Sequence, residues 1–269
     1  MEAWGLGTFM VSACAFGVIL GHPDSFMYIS NGALRGIFGG IAMGLTAIAI
    51  FLSPWGMRSG AHINPAVTFT FWRLGKIETW DAFFYVAAQF AGACAGVLLS
   101  WLILGELLAG DAVNYVVTLP GNAGVGAAFA AEVVISFLMM MAVLISSNSA
   151  RTAHLTPFLA GILVALFISL EAPFSGMSMN PARSFGSAAV ANVWTSLWVY
   201  FAAPPLAMLL AAEVYLRAKG AKEIYCAKLN HHGRARCIFN CRYGALGKKE
   251  DFIEVTKQKA MFPPVTGLF

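Results

Sequence analysis

Two stretches decide the reading of this chain: Ser59-Gly60-Ala61-His62-Ile63-Asn64-Pro65-Ala66 and Ser175-Gly176-Met177-Ser178-Met179-Asn180-Pro181-Ala182. Each is a polar, glycine-bearing loop that ends in Asn-Pro-Ala and opens a short apolar run. Proline at the first helical position wastes no hydrogen-bond donor, and asparagine caps the exposed N–H groups of a helix start. Each tripeptide therefore predicts a helix, over 64–73 and over 180–190. Neither run is long enough to cross a bilayer before Arg73-Leu74-Gly75-Lys76 interrupts the first and Gly186 the second. Paired short segments at matching places of two halves point to a pore or binding site at mid-membrane.

The rest of the chain agrees with a membrane protein. It is 59% hydrophobic and 11% charged, with a mean hydropathy of +0.72, whereas soluble domains carry about 25% charged residues. Runs long enough to span lie near 4–20, 33–52, 81–104, 125–146, 156–172 and 194–216. The first continues into the fold and reads as a retained span rather than a cleavable signal. Glycine and alanine recur within the runs, as at Gly36, Gly40, Gly44, Gly92 and Gly96, where small residues let helices approach closely. The expected fold class is an all-α membrane protein with six transmembrane helices and two re-entrant half-helices. Each half holds an odd number of spans, so the repeats are inverted: 1–118 the first, 119–216 the second, and 217–269 a basic tail.

Charge is unevenly placed. Residues 217–269 hold 11 Lys/Arg and 4 Asp/Glu, while residues 1–216 hold 6 and 9. Arg58, Arg73, Lys76, Arg151 and the tail fall in connections on one side, which the positive-inside rule makes cytoplasmic together with both termini. Arg35 is the exception, at the outer interface. The basic tail reads as a lipid-facing or orienting element rather than one for nucleic acid.

Inverted half-helices meet N-terminus to N-terminus. Each helix start carries roughly half a positive charge, so the meeting point repels protons and cations while neutral molecules pass. The Asn64 and Asn180 amides are the donors there. Backbone carbonyls of Gly60, Ala61 and His62 on one side, and of Gly176, Met177 and Ser178 on the other, are the expected acceptors. Irregular backbone at this depth is tolerated where it lines a wet cavity. Arg183, directly after the second tripeptide, is an intramembrane charge and so a functional candidate. Glu132 inside the fourth span needs a partner on the same ground.

Over roughly residues 4–216 the chain resembles the aquaporin, or major intrinsic protein, family. Ser59 to Thr68 and Asn180 to Gly186 carry the resemblance, with Gln89-Phe90-Ala91-Gly92-Ala93 and Ala203-Pro204 as lesser matches. The resemblance, to a bacterial-type member, implies a homotetramer of channels for water and small neutral solutes, without a cofactor for transport. It implies an outer selectivity filter of Arg183 with three partners, which spacing assigns to Met43, Ile168 and Met177. It also implies that Glu132, and with it Gln89, brace the re-entrant loops. The counterpart of Glu132 in the first span falls at Trp4, with Glu2 two residues early: either that brace is missing or Glu2 reaches in. The filter departs from the water-selective pattern, which has an aromatic residue and a histidine where Met43 and Ile168 stand. Ser184, Ala188 and Tyr200-Phe201 nonetheless look like the water branch. Water leads, and glycerol, hydrogen peroxide, ammonia and metalloid hydroxides stay open. A proton-coupled transporter built on Glu132 is the rival reading. No nucleophile–base grouping suggests an enzyme.

The tail holds Cys226, His231, His232, Cys237 and Cys241. On the cytoplasmic side, thiol clusters bind metal more often than they form disulfides. Three thiolates and one imidazole suit a structural zinc ion, ahead of an iron–sulfur cluster.

Overall fold

The computed structural model describes residues 1–231 and 237–246. Among the described residues the chain is helical with no strand. Six helices are long and apolar enough to cross a membrane: α1 (Glu2–Gly21), α2 (Gly32–Leu52), α5 (Thr79–Leu104), α7 (Gly124–Ser147), α8 (Thr156–Ser175) and α10 (Leu197–Lys219). The half-helices are α4 (Pro65–Arg73) and α9 (Pro181–Ala191). Two short helices, α3 (Pro54–Ser59) and α6 (Glu106–Ala109), complete the set. The sequence reading placed each span and half-helix to within a few residues but did not anticipate α3. Its signals are local: Ser53 Oγ accepts from the Gly56 N–H at 2.9 Å, and Pro54 fills the first helical position.

The packing repeats. Helix α1 packs on α5 as α7 packs on α10, α5 holds α9 as α10 holds α4, and α2 meets its own counterpart α8. Exchanging the first set of helices for the second maps each of these pairings onto another, and the α2–α8 pairing onto itself, as the two repeats require. Small residues set the closest seams. A Cβ at Gly44 would stand 2.6 Å from the Gly161 carbonyl oxygen across α2–α8, and one at Gly96 would stand 2.5 Å from that of Gly7 across α1–α5. In a bilayer, where lipid is as apolar as leucine, such backbone approach supplies the association energy.

The outer surface fits lipid. Leu102, Ile103 and Leu170 are 69–72% exposed, and the seven tryptophans are all partly bare and sit near helix ends, Trp194 in the connection between α9 and α10. Trp4, Trp55, Trp72 and Trp80 mark the side on which the tail emerges; Trp101, Trp194 and Trp198 mark the opposite side. Two aromatic girdles of this kind characterise membrane–water interfaces.

Candidate pore

The two loops that lead into α4 and α9 share one backbone. Gly60, Ala61 and Ile63 have φ of +90°, +53° and +40°, and Gly176, Met177 and Met179, at the same offsets, have +76°, +51° and +53°. Left-handed conformations at non-glycine residues cost free energy and persist only where surrounding bonds impose them.

Those bonds are repeated too. Glu2 accepts from Ser59 Oγ at 2.7 Å and from the Ile63 N–H at 2.6 Å. Glu132 accepts from Ser175 Oγ and from the Ser178 and Met179 N–H groups, each at 2.7 Å. Glu2 therefore reaches in and supplies the first brace, and Trp4 stacks edge-on against Trp55 instead. Gln89 Nε2 donates to Glu2 at 2.8 Å and to Thr68 Oγ1 at 3.0 Å, so it acts on the brace rather than on the loop itself. A further matched pair was not read from the sequence: Tyr85 OH donates to the Ser59 carbonyl and Tyr200 OH to the Ser175 carbonyl, both at 2.6 Å. The signal available was a tyrosine at equivalent depth in α5 and α10.

The helix starts meet tip to tip. Asn64 Oδ1 accepts from the Ala66 N–H, and Asn180 Oδ1 from those of Ala182 and Arg183. Their amides cross: Asn64 Nδ2 donates to the Met179 carbonyl and Asn180 Nδ2 to the Ile63 carbonyl, both at 2.7 Å. Each amide has two N–H groups, so each retains a second donor after this bond. Pro65 with Ala66 and Pro181 with Ala182 form the buried first turns behind the asparagines.

A cavity of about 340 Å³ runs past this junction. Leu20, Arg35 and Ala112 line one end, Asn64 and Asn180 the middle, and Phe51, His62 and Leu229 the tail-side end. Met43, Ile168, Met177 and Arg183 all line it, as do Gly176 and Ser178. Arg183 is fixed by a 2.9 Å bond from Nη1 to the Val116 carbonyl.

Two of the expected pore-lining carbonyls belong to residues that do not line this cavity. Gly60 and Ala61 stand outside the lining, and the Gly60 oxygen accepts from the Leu229 N–H at 3.3 Å. At Gly60 the reason is the tail, which folds back over this mouth. Glu171, one turn beyond Ile168 in α8, is 7% exposed and does not line the cavity.

The tail brings together Cys226, His231, Cys237 and Cys241, whose ligating atoms all lie within 4.8 Å of one another; His232 lies outside the described residues. Cys226 and Cys237 share a hydrogen bond that pushes the first thiol up and holds the second down. Nearby, burial and the Arg242 guanidinium lower the Lys76 ammonium, against the opposing effect of Cys226 and Cys241.

Relatives agree with this geometry. The family profile described as Major intrinsic protein matches residues 3–215. The chain is 36% identical over 197 residues to Aquaporin TIP4-4 of Zea mays, covering 70% of this chain and 77% of that protein. It is 40% identical over 179 residues to Aquaporin-5 of Mus musculus, covering 65% and 66% respectively. The X-ray structure of the aquaglyceroporin from Plasmodium falciparum superposes with a TM-score of 0.65 at 18% identity, over 80% of this chain and 92% of that one, a likeness of fold. The paired half-helices, their crossed asparagines and the sequence matches lead to one conclusion: this chain belongs to the major intrinsic protein family, whose members are membrane channels and not enzymes.

Proposed function

We propose that the chain is a passive channel for water and other small neutral solutes. The observation that carries this is the crossed pair of asparagine amides in the lining of one cavity: two helix starts meet there, and each amide keeps a second N–H beyond its crossed bond. A water that accepts both bonds cannot also continue a donor chain, and the positive helix ends oppose cations and protons. Met43, Ile168, Met177 and Arg183 form the filter in this reading. Three of the four are apolar, which favours, as a second reading, a wider channel that also takes glycerol, hydrogen peroxide, ammonia or metalloid hydroxides.

The two inverted repeats divide at 118/119, with the tail from 217. Both termini are cytoplasmic, on the positive-inside rule, and four copies assemble as a homotetramer in the bilayer. The tail holds a structural zinc ion, and transport needs no cofactor. Stopped-flow swelling of proteoliposomes in an osmotic gradient tests the channel, with water and glycerol compared. Solute entry that requires a proton gradient overturns it in favour of a coupled transporter.

A further inference from the structure

The tail does more at the pore mouth than its sequence announces. Residues 224–230 form no helix or strand, yet every one of them is buried. A buried irregular segment needs partners for its backbone groups, and here the pore loop supplies them. His62 and the Ala227 carbonyl are 2.9 Å apart through Nε2. The Leu229 N–H donates to the Gly60 carbonyl, and Leu229 itself lines the cavity beside His62. Phe239 stacks on the His62 ring, centroids 5.4 Å apart with planes 8° from parallel. A Cβ at Gly60 would lie 2.7 Å from the Phe239 ring. The tail thus occupies polar groups of the vestibule that would otherwise meet solvent.

The same segments carry the thiol–imidazole cluster. Cys226 directly precedes Ala227, and Cys237 and Cys241 flank Phe239 two residues away on each side. Cys226 Sγ lies 3.5 Å from Cys237 Sγ and 3.1 Å from His231 Nε2, which is 3.3 Å from Cys241 Sγ. A zinc ion with bonds of about 2.3 Å to sulfur and about 2.0 Å to nitrogen places its tetrahedral ligands roughly 3.5–3.8 Å apart. The four atoms therefore need only small shifts to enclose one. The Tyr243 ring stacks on His231 at 4.0 Å and fixes its plane. Four protein ligands leave no open position, so the site holds structure and does no chemistry.

We propose that Zn²⁺ bound by Cys226, His231, Cys237 and Cys241 locks the tail into the tail-side mouth, with Leu229 as the plug, and that loss of the ion opens the channel. This rests on the channel reading above. Metal binding and seating are one event: the ion ties the segment that carries Ala227 and Leu229 to the segment that carries Phe239, and both grip the loop around His62. The regulating quantity is the zinc available on that side of the membrane.

The test uses the full-length chain purified without a histidine tag, zinc-loaded or stripped with 1,10-phenanthroline before reconstitution. Three readouts are taken: zinc per chain, tryptic cleavage after the buried Lys228, and solute permeability. The loaded protein is expected to carry about one zinc per chain, to resist cleavage at Lys228 and to conduct severalfold less than the stripped protein. Cys237→Ser/Cys241→Ser is expected to match the stripped state with or without zinc. Leu229→Ala keeps all four ligands and is expected to bind zinc, resist trypsin and conduct freely. Below about a tenth of a zinc per chain in the loaded protein, for a site of structural affinity, the proposal falls. It falls equally if iron with inorganic sulfide, or a disulfide, replaces zinc, or if permeability is the same in both states. Zinc-dependent protection of Lys228 with no flux of any solute in either state overturns the channel reading itself, and the plug with it.

Discussion

The side-chain amide of Asn64 donates to the backbone carbonyl of Met179, 2.7 Å away on the other half of the chain. The Asn180–Ile63 bond mirrors it. Each asparagine thus does three things. Its oxygen caps its own helix, one N–H locks the opposite loop, and the other N–H remains for the cavity. The residues they lock, Ile63 and Met179, are also held through their backbone N–H groups by the brace carboxylates of Glu2 and Glu132. The pore centre is a closed ring of bonds that passes through both halves.

Asn180→Asp keeps the capping oxygen but replaces the donor with a second acceptor opposite the Ile63 carbonyl. It loses the crossed bond and puts negative charge where two helix starts converge. Cation conductance in planar bilayers is expected to rise, and water permeability to fall by roughly tenfold, the equivalent of one lost buried hydrogen bond. Unaltered cation exclusion would remove Asn180 from the barrier.

The two braces should act as coupled parts of that ring. Glu132→Gln keeps one acceptor oxygen but sets an N–H₂ group against donors that now meet a carboxylate. The expected result is assembled protein with modestly reduced permeability and a melting temperature lower by roughly 5 °C, for one charge-assisted bond lost. Glu2→Gln should do the same in the other half. Because the asparagines join the loops, the double variant should depart from additivity by about 0.5–3 kcal/mol. Strict additivity of the two melting shifts would mean that the loops are held independently. Complete loss of transport in folded Glu132→Gln would favour a proton carrier.

The sequence carried the fold because bilayer constraints are severe. Length, hydropathy and Asn-Pro signals located α1, α2, α4, α5 and α7 to α10, and inversion followed from an odd number of spans. What it did not carry were contacts made across long separations. Glu2 and Trp4 compete for one role, and only the start of α1 relative to the loop decides it. Tyr85 and Tyr200 look like ordinary interfacial aromatics until their hydroxyls meet Ser59 and Ser175. The tail's zinc-like donor set was visible, but its seat against Gly60 and His62 was not, since no local pattern links residues 165 apart.

Helix association depends on the glycine seams. Gly44→Val would force a side chain against the Gly161 carbonyl and the Ala165 methyl, both rigid parts of α8. Separation of α2 from α8 is expected, and with it detergent-solubilised protein that aggregates on size-exclusion chromatography. Gly39→Ala, whose Cβ meets nothing within 4 Å, should remain monodisperse. Equal behaviour of the two variants would argue against close α2–α8 packing.

Selectivity should be set at the proposed filter of Met43, Ile168, Met177 and Arg183, all of which line the cavity. Arg183 is the one fixed charge among them, and its bond to the Val116 carbonyl holds the guanidinium in place. Arg183→Ala widens this level of the cavity and removes the charge, leaving three apolar side chains. Proton or cation leak is expected to rise while water flux persists. Unchanged proton conductance would place the barrier elsewhere, at the asparagines alone. Ile168→His makes the opposite change: it adds a donor and a planar ring beside the guanidinium, so passage favours a molecule that both groups can hydrogen-bond and disfavours a carbon chain. The glycerol-to-water permeability ratio in proteoliposomes should fall. If it holds steady, Ile168 does not face the solute at the narrowest point, and the width of the channel is set by Met43 and Met177.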